Sequence, residues 1–226
     1  MTQKDRGLTT RTRLLDEAER LFASRGYEAT SVRDIVRAAG ANLGAITYHF
    51  GSKKGLLQEV LARRLEPLNQ ERLARLEAAQ ERSGLQGPRL EEILEAAIAP
   101  TIRLLKEKPN FMRIIGELLT SPRRTITHPP EAQALLERFM KAVAQAVPEV
   151  PAEELVWRLH FLRGALIHTW TASQFHPLSK DVALAPSDPE TMVARLVAFG
   201  AAGLRAPVPE SDRSRRRHAV KGSHHD

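Results

Sequence analysis

Apolar residues recur every three to four positions along almost the whole chain, and no segment sustains the alternation of a half-buried strand. The pattern predicts an all-α fold of about nine helices. Leu14, Leu15, Ala18, Leu21 and Phe22 share one face of a helix running from about Thr9 or Thr10 to Arg25, where Gly26 stops it. A short helix follows from Ser31, which can cap it while Asp34 occupies its third position, with Val32, Ile35, Val36 and Ala39 as the apolar stripe. Gly40 ends that helix, a third spans about Asn42 to His49, and Ser52 caps a fourth.

Beyond this compact unit the chain reads as longer helices: about Lys53 to Arg82, Arg89 to Lys108, Phe111 to Thr120, Glu131 to Val147, Ala152 to Gln174 and Pro189 to Arg205. Pro67 and Pro100 fall inside two of them and are expected to kink them, since each removes a backbone donor. Three units are therefore expected: a head over residues 1–55, a helical body over 56–205, and a disordered basic tail over 206–226.

Composition narrows the partners. Lys and Arg exceed Asp and Glu by 12 to 7 over residues 1–64 and by 6 to 3 over 205–226, whereas residues 65–204 carry 16 against 17. A basic head on a neutral body suits a polyanion, because counterion release from phosphates drives nonspecific nucleic-acid affinity. No stretch has the apolar length of a membrane helix and the first residues lack a secretory core, so a cytoplasmic protein without membrane contact is expected. The chain has no cysteine, no phosphate-binding glycine loop and no zinc-protease or hydrolase signature, and His160, His168 and His176 are too widely spaced to pair on one metal. Neither catalysis nor a metal or cofactor is expected.

The stretch Thr30 to Leu56 carries the function. A short helix, a glycine turn and a second short helix form a helix-turn-helix, whose second helix enters the major groove of DNA. Ile46 and Phe50 anchor that helix from behind, leaving Asn42, Leu43, Thr47, Tyr48 and His49 exposed. Ser31 and Arg33 at one helix start, and Lys53 at the next, are placed to hold phosphates on either side. Leu43 can meet a thymine methyl or serve the fold.

These residues resemble the TetR (tetracycline-repressor-like) family. Its Phe-x-x-x-Gly-Tyr/Phe pattern is met by Phe22 to Tyr27, its Thr-Ser/Thr-x-x-x-Ile by Thr30 to Ile35, and its Tyr-His-Phe-x-x-Lys by Tyr48 to Lys53. The run Asn42 to Ala45, and WRLHFLRGALIHTW in the penultimate helix, look similar to a PsrA-like, fatty-acid-responsive subgroup. The resemblance implies a homodimeric repressor that binds pseudo-palindromic double-stranded operator DNA and is released by a small lipophilic effector, such as a fatty acid or its coenzyme A thioester. Leu159, Leu162 and Leu166 in the penultimate helix, and Leu196, Phe199, Gly200 and Gly203 in the last, are the candidate dimer interface. Phe111, Met112, Ile115 and Leu119 are expected to line an effector pocket together with His160, Arg163 and His168, of which Arg163 is the anchor for an acid. Arg163 serves equally well in a salt bridge across the dimer, and the two histidines as packed core or interface residues. A ligand-independent dimeric DNA-binding protein is the alternative.

Overall fold

The computed structural model describes residues 3–120, 130–171 and 188–208, with side chains from residue 9 onward except at 119–120, 130 and 170–171. The described residues form nine α-helices and no strand: α1 Gln3–Arg25, α2 Val32–Ala38, α3 Gly44–Phe50, α4 Lys53–Ser83, α5 Leu90–Glu107, α6 Pro109–Thr120, α7 Pro130–Ala146, α8 Ala152–Thr171 and α9 Pro189–Arg205. The sequence-based boundaries hold to within two residues at most ends; α1 starts earlier, and the described part of α8 stops short of Gln174. The expected tail, apart from residues 206–208, lies outside the described residues. Pro67 and Pro100 lie within helices that continue past them, because packing on both sides of each proline offsets the single lost bond.

Two apolar cores divide the molecule. The first joins α1, α2 and α3 to the start of α4 through Leu14, Phe22, Ile35, Ile46, Leu56 and Val60, and it also takes in Phe111, Met112, Ile114, Ile115 and Leu118 of α6. One core thus spans both sides of residue 55, and α6 supplies its floor. The second core gathers α5, α7, α8 and α9 around Leu76 of α4, with Ile93, Val143, Leu155 and Leu196 among its members. Leu105 packs against both.

In the body, α9 lies along α5 and α8. Gly200 makes this possible, since an added Cβ would stand 3.0 Å from both methyls of Leu162 and 3.3 Å from Leu94. The end of α9 is fastened by the buried Arg158 of α8, which donates to the carbonyls of Leu204 at 2.8 Å and Ala206 at 2.7 Å while pairing with Glu154 at 2.8 Å. These bonds satisfy carbonyls that a helix end leaves without partners. The Arg205 guanidinium meets Glu91 at the start of α5 in a forked ion pair, its Nη2 lying 3.0 Å from Oε2.

Phe111 is fully buried in the first core although it belongs to α6. Phe111→Ala should therefore destabilise the protein by about 3–5 kcal/mol in chemical denaturation, with head and body signals shifting together. The Arg205 hydrogen bond, helped by a backbone bond, holds the Glu91 carboxyl at about 2 against an ordinary 4.5. A depressed carboxyl contributes stability that is complete above its unfolded value and fades as pH falls toward the folded one. Acid unfolding of Glu91→Gln should therefore lose sensitivity between about pH 4.5 and 2; an unchanged acid limb would show that the pair adds nothing.

Candidate nucleic-acid interface

The loop between α1 and α2 sets the angle of the head. Gly26 turns it with a φ of 85°, a left-handed conformation that side chains disfavour. The buried Thr30 hydroxyl closes it by donating to the Gly26 carbonyl at 2.8 Å. Tyr27, between them, is held from two directions. Its N–H donates to Glu117 Oε1 of α6 at 3.1 Å, while Lys53 Nζ of α4 donates to its carbonyl at 2.6 Å and stands 4.2 Å from its ring centroid. Burial presses the Lys53 ammonium below its ordinary value.

Helix α2 opens with a complete capping box: the Ser31 hydroxyl accepts from the Asp34 N–H at 3.1 Å, and Asp34 Oδ2 accepts from the Ser31 N–H at 3.1 Å. The Ser31 hydroxyl and backbone together hold the Asp34 carboxyl below the usual carboxylate range. At the turn Gly40 takes a φ of 59°, and the chain enters α3 with Asn42 Oδ1 accepting from the Ala45 N–H at 2.9 Å. Ile46 is buried beneath α3, and Phe50 packs against the same core with the Arg11 guanidinium 5.5 Å from its ring centroid. Helix α4 then starts so close to α3 that a Cβ on Gly55 would lie 2.1 Å from the Phe50 carbonyl oxygen.

This bracing leaves one face of α3 to solvent. Tyr48 is 84% exposed and Leu43 53%, with Thr47 also exposed. Half-buried His49 stands edge-on to Tyr48, with ring centroids 4.8 Å apart. The exposed Arg33 and Arg37 of α2 have no partner among the described residues, so both guanidinium groups are available beside α3. Three of the expected contact residues have work within the fold: Ser31 and Asn42 cap helices, and Lys53 faces Tyr27 rather than solvent. Asn42 keeps its amide N–H groups free for a base. Arg37, Gly55 and Glu117 are additions that sequence reading missed; Arg37 was visible as a charge one turn from Arg33, whereas nothing local marks Glu117 as a neighbour of residue 27.

Residues 14–60 match the family model of bacterial regulatory proteins, tetR family, and residues 95–203 match the tetracyclin repressor-like C-terminal domain. The chain belongs to the TetR family. The HTH-type transcriptional repressor KstR2 of Rhodococcus jostii (strain RHA1) is 50% identical over 58 residues, which make up 26% of this chain and 28% of that protein. This chain thus spans little more than a quarter of the length of the curated relatives it matches. Among solved structures, the fatty acid degradation regulator FadR from Bacillus halodurans aligns with 88% of this chain and 97% of its own at 16% identity and a TM-score of 0.62. FadR from Bacillus subtilis, solved in complex with stearoyl-CoA, aligns with 85% and 98% at 14% identity and a TM-score of 0.59. At these identities the likeness is one of fold.

The TetR-family body departs from the expected pocket. Phe111, Met112 and Ile115 are buried in the head's core because the apolar stripe of α6 turns toward α1 and α4, and the Leu119 side chain lies outside the described residues. His160, Arg163 and His168 are exposed along α8 and do not converge with that stripe on a cavity. The larger of the described clefts, about 250 Å³, lies instead between α4 and α5. Likewise Leu162, Leu196 and Gly200 are buried inside the protomer, with Leu159 and Leu166 half-buried against the same core. Phe199 and Gly203 do face outward, and Val156, Trp157 and Phe161 of α8 are exposed apolar residues as well.

The contrast between Arg33 and Lys53 is measurable without DNA. Lys53→Ala, losing a charged hydrogen bond and a ring contact, should lower Tm by roughly 3–6 °C. Arg33→Ala should leave Tm within about 1 °C, as surface substitutions do.

Proposed function

We propose that this TetR-family regulator is a dimeric repressor that grips pseudo-palindromic operator DNA through α3 and is released by a small lipophilic effector. The observation that carries the reading is the exposed face of α3, where Leu43, Thr47 and Tyr48 project from a helix fixed by Ile46 below and two unpaired arginines stand alongside. Such a surface divides its tasks: arginines and backbone amides position the head on phosphates, and the projecting side chains meet base edges or thymine methyls. Tyr48 and His49 are the phosphate and groove contacts closest to Phe50, and Arg33 and Arg37 those on the far side of the turn.

A second copy supports the same reading. Trp157 and Phe161 on α8, with ring centroids 5.9 Å apart, and Phe199 on α9 form an apolar surface on the two helices that the family architecture pairs across a two-fold axis. A two-fold dimer presents two reading helices to half-sites spaced by whole turns of the duplex. The stearoyl-CoA bound by the Bacillus subtilis FadR supports an acyl chain as the effector class. Among the described residues no helix is long and apolar enough to cross a membrane, and the operator places the protein in the cytoplasm.

One observation favours a ligand-independent dimer: the cleft of about 250 Å³ is smaller than the roughly 300–1,000 Å³ of usual ligand sites. An acyl-chain panel in a thermal-shift assay separates the two readings, since stabilisation by any member requires a sensor.

The repressor reading is tested with a duplex selected from a random pool by the full-length protein. Tyr48→Ala should weaken that duplex by about tenfold or more, and Arg33→Ala should flatten the salt dependence by about one unit of slope. Phe199→Glu should convert the dimer to monomer in sedimentation with the fold intact. Selection that returns no preferred sequence would overturn the proposal.

A further inference from the structure

The cleft between α4 and α5 has an apolar floor of Pro67, Leu68, Pro100 and Leu104, and walls that carry Arg63, Arg64, Arg103 and Lys108 against Glu71 and Glu107. Its cations therefore outnumber its carboxylates by two, and they are not equally engaged. Arg63 is saturated by Asp16 at 2.6 Å and by Glu19. Arg103 is taken by Glu71, which also receives Arg75 at 2.9 Å. Arg64 reaches Glu19 only through Nη2 at 3.3 Å, behind Arg63 on the same carboxylate, and its enclosed Nε has no acceptor. Lys108 is exposed and has no ion-pair partner among the described residues.

Behind the floor stands a further cation without an anion. Arg72 follows Glu71 on α4 and donates to the Ala97 carbonyl at 3.0 Å, to Asn69 at 3.3 Å and to the Thr101 hydroxyl, all neutral groups. Burial lowers its guanidinium to about 10. An apolar floor beneath incompletely matched cations favours one chemistry, because an anion gains most where low-dielectric walls limit screening and an attached hydrocarbon covers the floor.

We propose that this cleft holds the anionic end of an amphiphilic effector, its acid group between Arg64 and Lys108 and its first carbons on Leu68 and Leu104. The inference rests on the effector-released reading and gives that effector a charge and a seat. The seat lies where α4 passes from the head's core at Leu61 to the body's core at Leu76, facing the point where α5 leads into α6. Filling it parts α4 from α5, the two helices that connect body to head. The volume accommodates a head group and a short run of carbons, with the rest of a longer chain extending out through the open side.

Calorimetry on the full chain without DNA tests this, using octanoate, octanoyl-CoA and octanol. One anion should bind per chain, with octanol weaker by at least about tenfold. Lys108→Glu should weaken the bound anion by about tenfold with Tm unchanged, and Arg64→Gln should do the same. Tighter binding of octanoate assigns the acid to a free carboxylate, and tighter binding of octanoyl-CoA assigns it to the phosphates; either supports the site provided both variants weaken it. Equal binding of octanol, binding of neither anion, or binding indifferent to Lys108→Glu overturns it. Because no DNA is present, anion binding without operator selection would sink the repressor reading alone, and operator selection without anion binding would sink this site alone.

Discussion

The burial of α6 against α1 and α4 is the constraint on which the rest of the molecule depends. Three short helices at the N-terminus do not enclose enough apolar surface by themselves, and Phe111, Ile114 and Leu118 complete what Leu14, Phe22 and Leu57 begin. The polar contact at the edge of this interface then has a defined place. Glu117 meets the Tyr27 N–H while Lys53 takes the carbonyl, so α6 and α4 hold the same loop residue from opposite sides. The orientation of α2 and α3 follows from that loop. A shift of α6 relative to α4 therefore acts on the reading surface through Tyr27, with no deformation of the short helices required.

Charge is distributed to match. The cations of α1 and the first half of α4 that face inward are largely consumed by Asp16, Glu19 and Glu59, which fasten α1 to α4. Those of α2 remain available. The excess positive charge of the head thus appears on the side where α3 is exposed, although composition alone assigns it only to a segment.

Most of the helices were legible in the sequence because a helix is a local object: Leu14 to Phe22 specify a stripe, Ser31 with Asp34 a start, and Gly26 and Gly40 the stops. The head's architecture was legible for the same reason, since its motifs span a few dozen residues. Partnership between distant stripes was not. Phe111, Met112 and Ile115 plainly form an apolar face, but nothing in their spacing tells a body cavity from the underside of the head. In α8 apolar residues occur on nearly every side, so periodicity could not separate Leu155 and Leu162, which turn inward, from Trp157 and Phe161, which turn outward. Residue type misled at Lys53 and Asn42 as well: both are polar groups at helix starts, and the fold itself supplies partners for them.

Continuity of the first core also defines what can be exchanged between members of this architecture. A chimera cut near residue 55 would carry a head whose underside, including Leu14, Phe22 and Val60, meets whatever α6 the recipient body provides. The transferable unit is discontinuous in sequence: residues 3–61 together with 109–120, two segments that the chain separates but the packing treats as one. Sequence drift in α6 is thereby tied to drift in α1, so altering DNA preference by recombination is easiest on the surface of α3 and hardest at the seam beneath it.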